Sequence, residues 1–304
     1  MAARLWRSIL ALAFAVALAS GFLVRRLFAL PSAYASAVAL CVLLALPIAF
    51  VSLCFLHALA ADAVPARAGA ARHLLRALLS ETVDFTWTVL AMSAAAARDR
   101  GQLLAADGPR RPILLLHGFL CNARVWCALQ ARLVAAGFGP IEALDLEPLL
   151  ADIEILVGRV APRLLALQRR CNDERVVIIA HSMGGLVARA LLRDLGASAV
   201  RRILTIASPH HGTALVRRLP WPNTRQMCPD SPWLRALNAG QEGRFAVPVT
   251  SIYTVADNLV VPVESAQLQG AESIELRGIG HLGMLRSRRA LDSVIATLSQ
   301  DTPL

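Results

Sequence analysis

Apolar positions in this chain fall into two regimes. Residues 8–24 and 33–61 are long, almost uncharged apolar runs with no amphipathic face, separated by Arg25-Arg26. Such runs predict membrane-spanning helices: the first is near the minimum of ~17 residues, and the second is long enough to cross with tilt, with Pro47 as a kink point. From residue 112 onward, short aliphatic runs alternate with stretches whose apolar residues recur at helical spacing. This alternation predicts a mostly parallel α/β sheet of about six strands flanked by helices. Strands are expected within 112–119, at 141–145, 175–181 and 202–207, and within 247–254 and 273–276. Helices are expected at 125–136 and 154–169 and from Leu186 onward. No convincing strand pair precedes residue 112.

The pattern divides the chain into a membrane segment (1–62), a basic, helix-containing connector (63–111) and one α/β domain (112–304). Within the connector, Leu74, Leu75, Leu78, Leu79, Phe85 and Leu90 predict helix through much of 70–97, lying either along a membrane or against the domain. An alternative for the first run is a cleaved signal peptide, with Arg4 and Arg7 at its positive end and Ala17-Leu18-Ala19 as the cleavage site. Arginine bias at the run ends (Arg4, Arg7; Arg25, Arg26; Arg67, Arg72, Arg76) favours both termini on the cytoplasmic face of a bacterial-type inner membrane, hence a multi-pass protein with a cytoplasmic domain. If one run alone spans, the domain lies on the periplasmic side.

Composition changes this picture little. The formal charge of +10 is carried by arginine alone, since the chain contains no lysine. Neither a stacking platform nor a nucleic-acid motif accompanies it, so nucleic acid is not an expected partner and an anionic bilayer surface is. Of the six cysteines, Cys41 and Cys54 lie in the second apolar run; none shows structural-zinc spacing, and Cys121, Cys127, Cys171 and Cys228 of the domain are expected as buried free thiols.

Candidate chemistry centres on Val176-Val177-Ile178-Ile179-Ala180-His181-Ser182-Met183-Gly184-Gly185-Leu186. Four branched aliphatics predict a strand buried on both faces, and a helix begins directly after Ser182, so the serine sits on an abrupt strand-to-helix turn. Small residues at Ala180 and Gly184 permit the turn, and Gly185 permits close helix approach. The helix amino terminus then faces the serine with its unpaired amides. This stretch resembles the nucleophile elbow of the α/β-hydrolases, in the Ala-His-Ser-Met-Gly form found in some bacterial lipases, with Ala180 in place of the first glycine. Pro112-Ile113-Leu114-Leu115-Leu116-His117-Gly118-Phe119 resembles the His-Gly oxyanion loop of lipases and esterases. Ser208-Pro209-His210-His211-Gly212-Thr213 resembles lipase-like hydrolases related to enzymes acting on lipid-linked glycans.

The resemblance implies an α/β-hydrolase fold and a triad in the order Ser182, Asp257, His281, with Asp257 on a loop after a strand and His281 between Gly280 and Gly283. Asp230 and Glu264 remain alternative acids. Backbone amides of Phe119 and Met183 become the oxyanion donors; His117 and Gly118 brace their loop, and His181 belongs to the elbow. Residues 213–246, with Trp221 and Trp233, are either a lid shaping an acyl pocket or a surface excursion. The implied reaction is cleavage of carboxylic, lipid-type esters through an acyl-enzyme, needing no metal and no organic cofactor. An acyltransferase or thioesterase uses the same triad, and a non-catalytic membrane-anchored binding protein keeps the same fold. Acyl-chain length and oligomeric state leave no mark in the sequence.

Overall fold

The computed structural model describes residues 1–60, 70–94, 110–241 and 243–300, with the side chains of 70–74 and 110 left aside. Six strands form one sheet: β1 (Arg110–Leu116), β2 (Gly139–Leu144), β3 (Val176–His181), β4 (Val200–Ile206), β5 (Val249–Thr254) and β6 (Glu272–Leu276). Their spatial order is β2-β1-β3-β4-β5-β6, and every neighbouring pair is parallel. Among the described residues no strand precedes β1.

The central strands are continuous aliphatic stretches, 113–116 in β1 and 176–179 in β3, because both sheet faces are covered there. Leu114, Leu116, Ile178 and Ala180 project into one apolar cluster, while Ile113, Leu115, Val177 and Ile179 project into the other. The first face is covered by α5 (Ile153–Arg170), α6 (Met183–Leu195) and, beyond the short α7 (Pro222–Gln226), by α8 (Pro232–Gln241). The second is covered by α4 (Cys127–Ala135) and α9 (Arg288–Gln300). Helix α9 reaches the sheet through Leu291, Val294 and Leu298, a three-and-four spacing that puts all three on one face. Each fully buried aliphatic of this kind contributes about 1.5–3 kcal/mol.

Ahead of the sheet stand α1 (Ala2–Phe28), α2 (Ser32–Ala60) and α3 (Ala70–Ser93). Helices α1 and α2 form an antiparallel hairpin that is long and apolar enough to cross a membrane. Pro47 lies inside α2. Near the hairpin tip, a Cβ on Gly21 would meet the Ala35 carbonyl oxygen at 2.3 Å, so glycine sets how closely the helices approach. Leu12, Phe14, Leu40 and Leu53 are all more than half exposed on the hairpin exterior. Both feet rest on the domain: Trp6 Nε1 donates to the Leu120 carbonyl at 2.8 Å, Val51 and Phe55 pack with Ala77 and Ala256, and Ala58 packs with Val261.

Within the 63–111 connector, α3 occupies most of the expected 70–97 helix; residues 63–69 and 95–109, including Arg67, lie outside the described residues. Helix α3 packs against the domain along one side. Ala77, Val89 and Met92 are buried, while Leu75, Leu79, Val83 and Leu90 are exposed on its other side. The six cysteines are free thiols; in the domain the expected burial holds at Cys121 and Cys171, is partial at Cys228 and fails at Cys127, which is exposed, as is Cys41 of the hairpin. Cys41 lies on the outer surface of the hairpin, and Cys127 opens α4 at the surface.

Candidate active site

Strand β3 ends at His181 and α6 begins at Met183, leaving Ser182 alone to reverse the chain. Its backbone takes φ 55° and ψ −128°, a conformation disfavoured for any residue with a Cβ. The turn is held on both sides: Ser182 N–H donates to the Ile206 carbonyl, and Gly185 N–H donates to the Ser182 carbonyl, each at 2.9 Å. Ala180 is fully buried, its side chain part of the first sheet face, so the position tolerates a methyl group.

Gly184 and Gly185 have no such room. A Cβ on Gly184 would lie 2.3 Å from the Leu116 carbonyl oxygen, and one on Gly185 would lie 2.2 Å from Ser208 Oγ. The first obstacle is backbone and cannot swing aside. Gly184→Ala is therefore expected to cost about 3 kcal/mol, the upper end for overpacking, and to lower the melting temperature. A Cβ on Gly185 would also lie 2.7 Å from Ser208 Cβ, which no side-chain rotation moves, so Gly185→Ala is expected to lower the melting temperature as well. A wild-type melting temperature for either variant would contradict this geometry.

The loop after β1 abuts the serine. A Cβ on Gly118 would meet Ser182 Cβ at 2.8 Å and Ser182 Oγ at 3.2 Å. His117, buried, spans this loop: its Nε2 accepts from Leu146 N–H at 2.9 Å, which leaves Nδ1 as the donor to the Gly118 carbonyl at 2.8 Å. Burial holds its pKa below the ordinary imidazole value, opposed by the Gly118 hydrogen bond and by Asp145 and Glu147. His117 is thus a neutral strut. Among the described residues, no protein group accepts from the Phe119 or Met183 amide.

Asp257 follows β5 and is buried. Its Oδ1 accepts from the N–H groups of Leu259 and Val260 at 2.9 and 2.8 Å, fixing the carboxylate in its own turn. Both carboxylate oxygens lie 3.0 Å from His281 Nδ1. That contact puts the ring proton on Nδ1 and leaves Nε2 with a free lone pair. Burial works against a charged His281, but the Asp257 carboxylate, its hydrogen bond and Glu81 together raise its pKa above the ordinary value.

The ring of His281 lies 4.7 Å, centroid to centroid, from that of His181, the residue before Ser182. His181 packs edge-on against Trp126, its Nε2 lies 3.3 Å from the His281 carbonyl, and burial keeps its pKa well below the ordinary range. Among the described residues, no hydrogen bond joins Ser182 Oγ to His281, and none joins Asp230 or Glu264 to His281.

Other predicted positions separate. Trp221 stands beside the loop that follows β1, its ring 6.0 Å from that of Phe119. Trp233 is drawn away to the first turn of α5, where Nε1 donates to Glu154 Oε1 at 2.6 Å. His210 is buried against Thr205 Oγ1 at 3.0 Å, while the backbone N–H of His211 is held by Ser265. The pair is built into the loop that follows β4.

One residue escaped sequence reasoning. Glu81, from α3, is buried and accepts from the N–H groups of Leu282 and Gly283, next to His281, at 2.7 and 2.9 Å. Its signal was present: Glu81 and Asp84 are the only acids in α3, and their three-residue spacing puts them on one face.

The fold these elements define is of the kind seen in solved esterase and lipase structures. A family model described as the PGAP1-like alpha/beta domain matches residues 142–268, a span that contains Ser182 and Asp257 and ends before His281. Protein SERAC1 of Danio rerio is 33% identical over 145 residues, which cover 39% of this chain and 22% of that protein. Methylesterase 7 of Arabidopsis thaliana is 32% identical over 106 residues, 33% of this chain and 40% of that protein. The chain therefore spans well under half the length of either relative. The crystal structure of Aspergillus fumigatus lipase B superposes with a TM-score of 0.59 at 22% identity, covering 69% of this chain and 59% of that one.

Proposed function

We propose that this chain is a membrane-anchored serine hydrolase that cleaves carboxylic esters, with lipid esters as its substrate class. Ser182 is the nucleophile, His281 the base and Asp257 the acid that orients it. The observation that carries this reading is the buried Asp257–His281 contact at 3.0 Å beside the strained Ser182 turn. His281 Nε2 takes the hydroxyl proton as Ser182 Oγ bonds to the ester carbonyl carbon. The carbonyl oxygen becomes an oxyanion facing the Phe119 and Met183 amides, each such donor contributing about 3 kcal/mol. Collapse breaks the bond to the alcohol, which leaves with the proton from His281, and water then repeats the steps on the acyl-enzyme. Residues 112–304 form the catalytic unit, and Trp221 with 213–246 forms a wall of the acyl pocket.

The anchor reading is supported by the exposed apolar exterior of the hairpin. At ~1.5 Å per residue each helix extends about 40 Å, beyond the ~30 Å hydrocarbon core, with Arg4, Arg7, Arg25 and Arg26 near its ends. We assign the hairpin to a bacterial-type inner membrane with the domain on the cytoplasmic face. Both feet stand at loops following the carboxyl ends of strands, the edge that also bears Ser182, Asp257 and His281. Hydrolysis of short- to long-chain acyl esters by the full-length protein, free in detergent and in vesicles, tests this reading. Preference for long chains, enhanced in vesicles, is expected; turnover confined to short soluble esters would contradict the lipid assignment.

His281 must be neutral to act as base. Because its pKa is raised from 6.5, kcat/KM is expected to fall with acidification through a midpoint above 6.5. A midpoint below that value would contradict the coupling to Asp257.

A further inference from the structure

Helix α3 lies outside the sheet, yet it grips the loop that carries His281 at three points. The Glu81 carboxylate takes the Leu282 and Gly283 amides, Asp84 pairs with Arg286 Nη1 at 2.8 Å, and the Arg286 guanidinium lies 4.3 Å over the Trp87 ring. The same helix holds the opposite side of the site. Its Met92 and Ala91 carbonyls accept from Asn122 Nδ2 at 3.0 Å and Arg124 Nε at 2.9 Å, just after the oxyanion loop. Through Ala77 it joins Val51 and Phe55 of α2 and Ala256, the residue before Asp257.

A buried carboxylate is costly unless its oxygens are satisfied, and Glu81 is satisfied by the two amides after His281 rather than by a cation. The charged or titratable groups facing it are His281 and Asp257 from the domain and the Cys54 thiol of α2, with Asp84 on its own helix held by Arg286. Gly280 completes the seat, since a Cβ there would lie 2.4 Å from Glu81 Oε2.

We propose that Glu81 is a positioning residue for ester cleavage: it fixes the His281 loop against Asp257 and its charge strengthens the imidazole as a base, so the site is competent only with α3 docked. The proposal rests on the hydrolase reading above. Burial pushes the Glu81 pKa up to about 7, against the pull of the two amides, which brings its charge within reach of neutral-pH titration.

Full-length Glu81→Gln and Glu81→Asp, compared with wild type in detergent, test it. Glutamine can accept only one of the two N–H groups and carries no charge. In Glu81→Gln, kcat is expected to fall about 10-fold with KM nearly unchanged, as for a displaced catalytic group. Amide exchange at Leu282 and Gly283 should quicken. The acid limb of kcat/KM should move to lower pH, because the charge that favoured imidazolium is gone. Glu81→Asp, shortened but still charged, should lose rate while keeping its acid limb near that of wild type. A folded Glu81→Gln with wild-type kcat, or one that loses rate with its acid limb unmoved, overturns the proposal. Absence of Ser182-dependent turnover in wild type would instead overturn the hydrolase reading, and the exchange rates of the two amides in Glu81→Gln would still decide whether Glu81 holds the loop.

Discussion

Replacing Ser182 with alanine is expected to lower ester turnover roughly 10⁴-fold or more while the protein stays folded. The loss follows from the role proposed for Ser182: without Oγ no acyl-enzyme would form, and only the amides proposed as oxyanion donors would remain to assist attack by water. Retention of the fold follows from the packing. Among the described residues the Ser182 side chain makes no hydrogen bond, and the turn is held by the Ser182 N–H to Ile206 contact, which alanine keeps. The disfavoured φ of 55° is already borne by a residue with a Cβ, so alanine adds no new strain. Turnover, fluorophosphonate labelling and thermal melting of the variant check this together. A correctly melting Ser182→Ala that still gives a burst of product would sink the nucleophile assignment.

Asp257→Asn is expected to reduce kcat about 10³- to 10⁴-fold, approaching the loss in His281→Ala. The carboxylate has two jobs here. Toward His281 it accepts from Nδ1–H and stabilises the imidazolium; toward its own turn, Oδ1 accepts from Leu259 and Val260. An asparagine that keeps its oxygen in the turn presents its NH₂ to the ring and drives the imidazole into the tautomer that cannot take the serine proton. Asp230→Asn and Glu264→Gln are expected to leave kcat within about twofold, since neither touches His281 and surface changes are usually small. Greater damage from either of them than from Asp257→Asn would show that the acid has been wrongly chosen.

Much of the sheet was legible because parallel strands covered on both faces must be continuously aliphatic, as Val176 to Ile179 are. Local chemistry marked the turn at Ser182 equally clearly: strand periodicity gives way directly to helix periodicity there, and small residues, Ala180 and Gly184, stand two positions to either side. Strand ends differ by one to three residues from the pattern, as at Val249, where the aliphatic run starts at 247, because Pro248 cannot donate to the ladder. Other features depend on partners remote in sequence. Trp221 and Trp233 look equivalent in the chain, but one faces Phe119 while the other is captured by Glu154, a helix N-terminal acid no local pattern links to it. Glu81 stood out only as one of two acids on a single face of α3, and nothing local showed what that face meets. Its partners are about 200 positions away and are backbone amides, which carry no side-chain signature. The feet of the hairpin were hidden too: an apolar run predicts that a helix avoids water, and says nothing of whether its end meets lipid or the loop beside Asp257.

The most direct test of the account is to trap the intermediate. Full-length protein in detergent would be quenched with acid during turnover of a slow long-chain acyl ester, digested, and searched by mass spectrometry for the acyl adduct. The account predicts one acyl group on the peptide containing Ser182, absent from Ser182→Ala and retained longer as pH falls below the His281 midpoint. An adduct on a different residue, or wild-type turnover with no adduct at Ser182 at any pH, would contradict it.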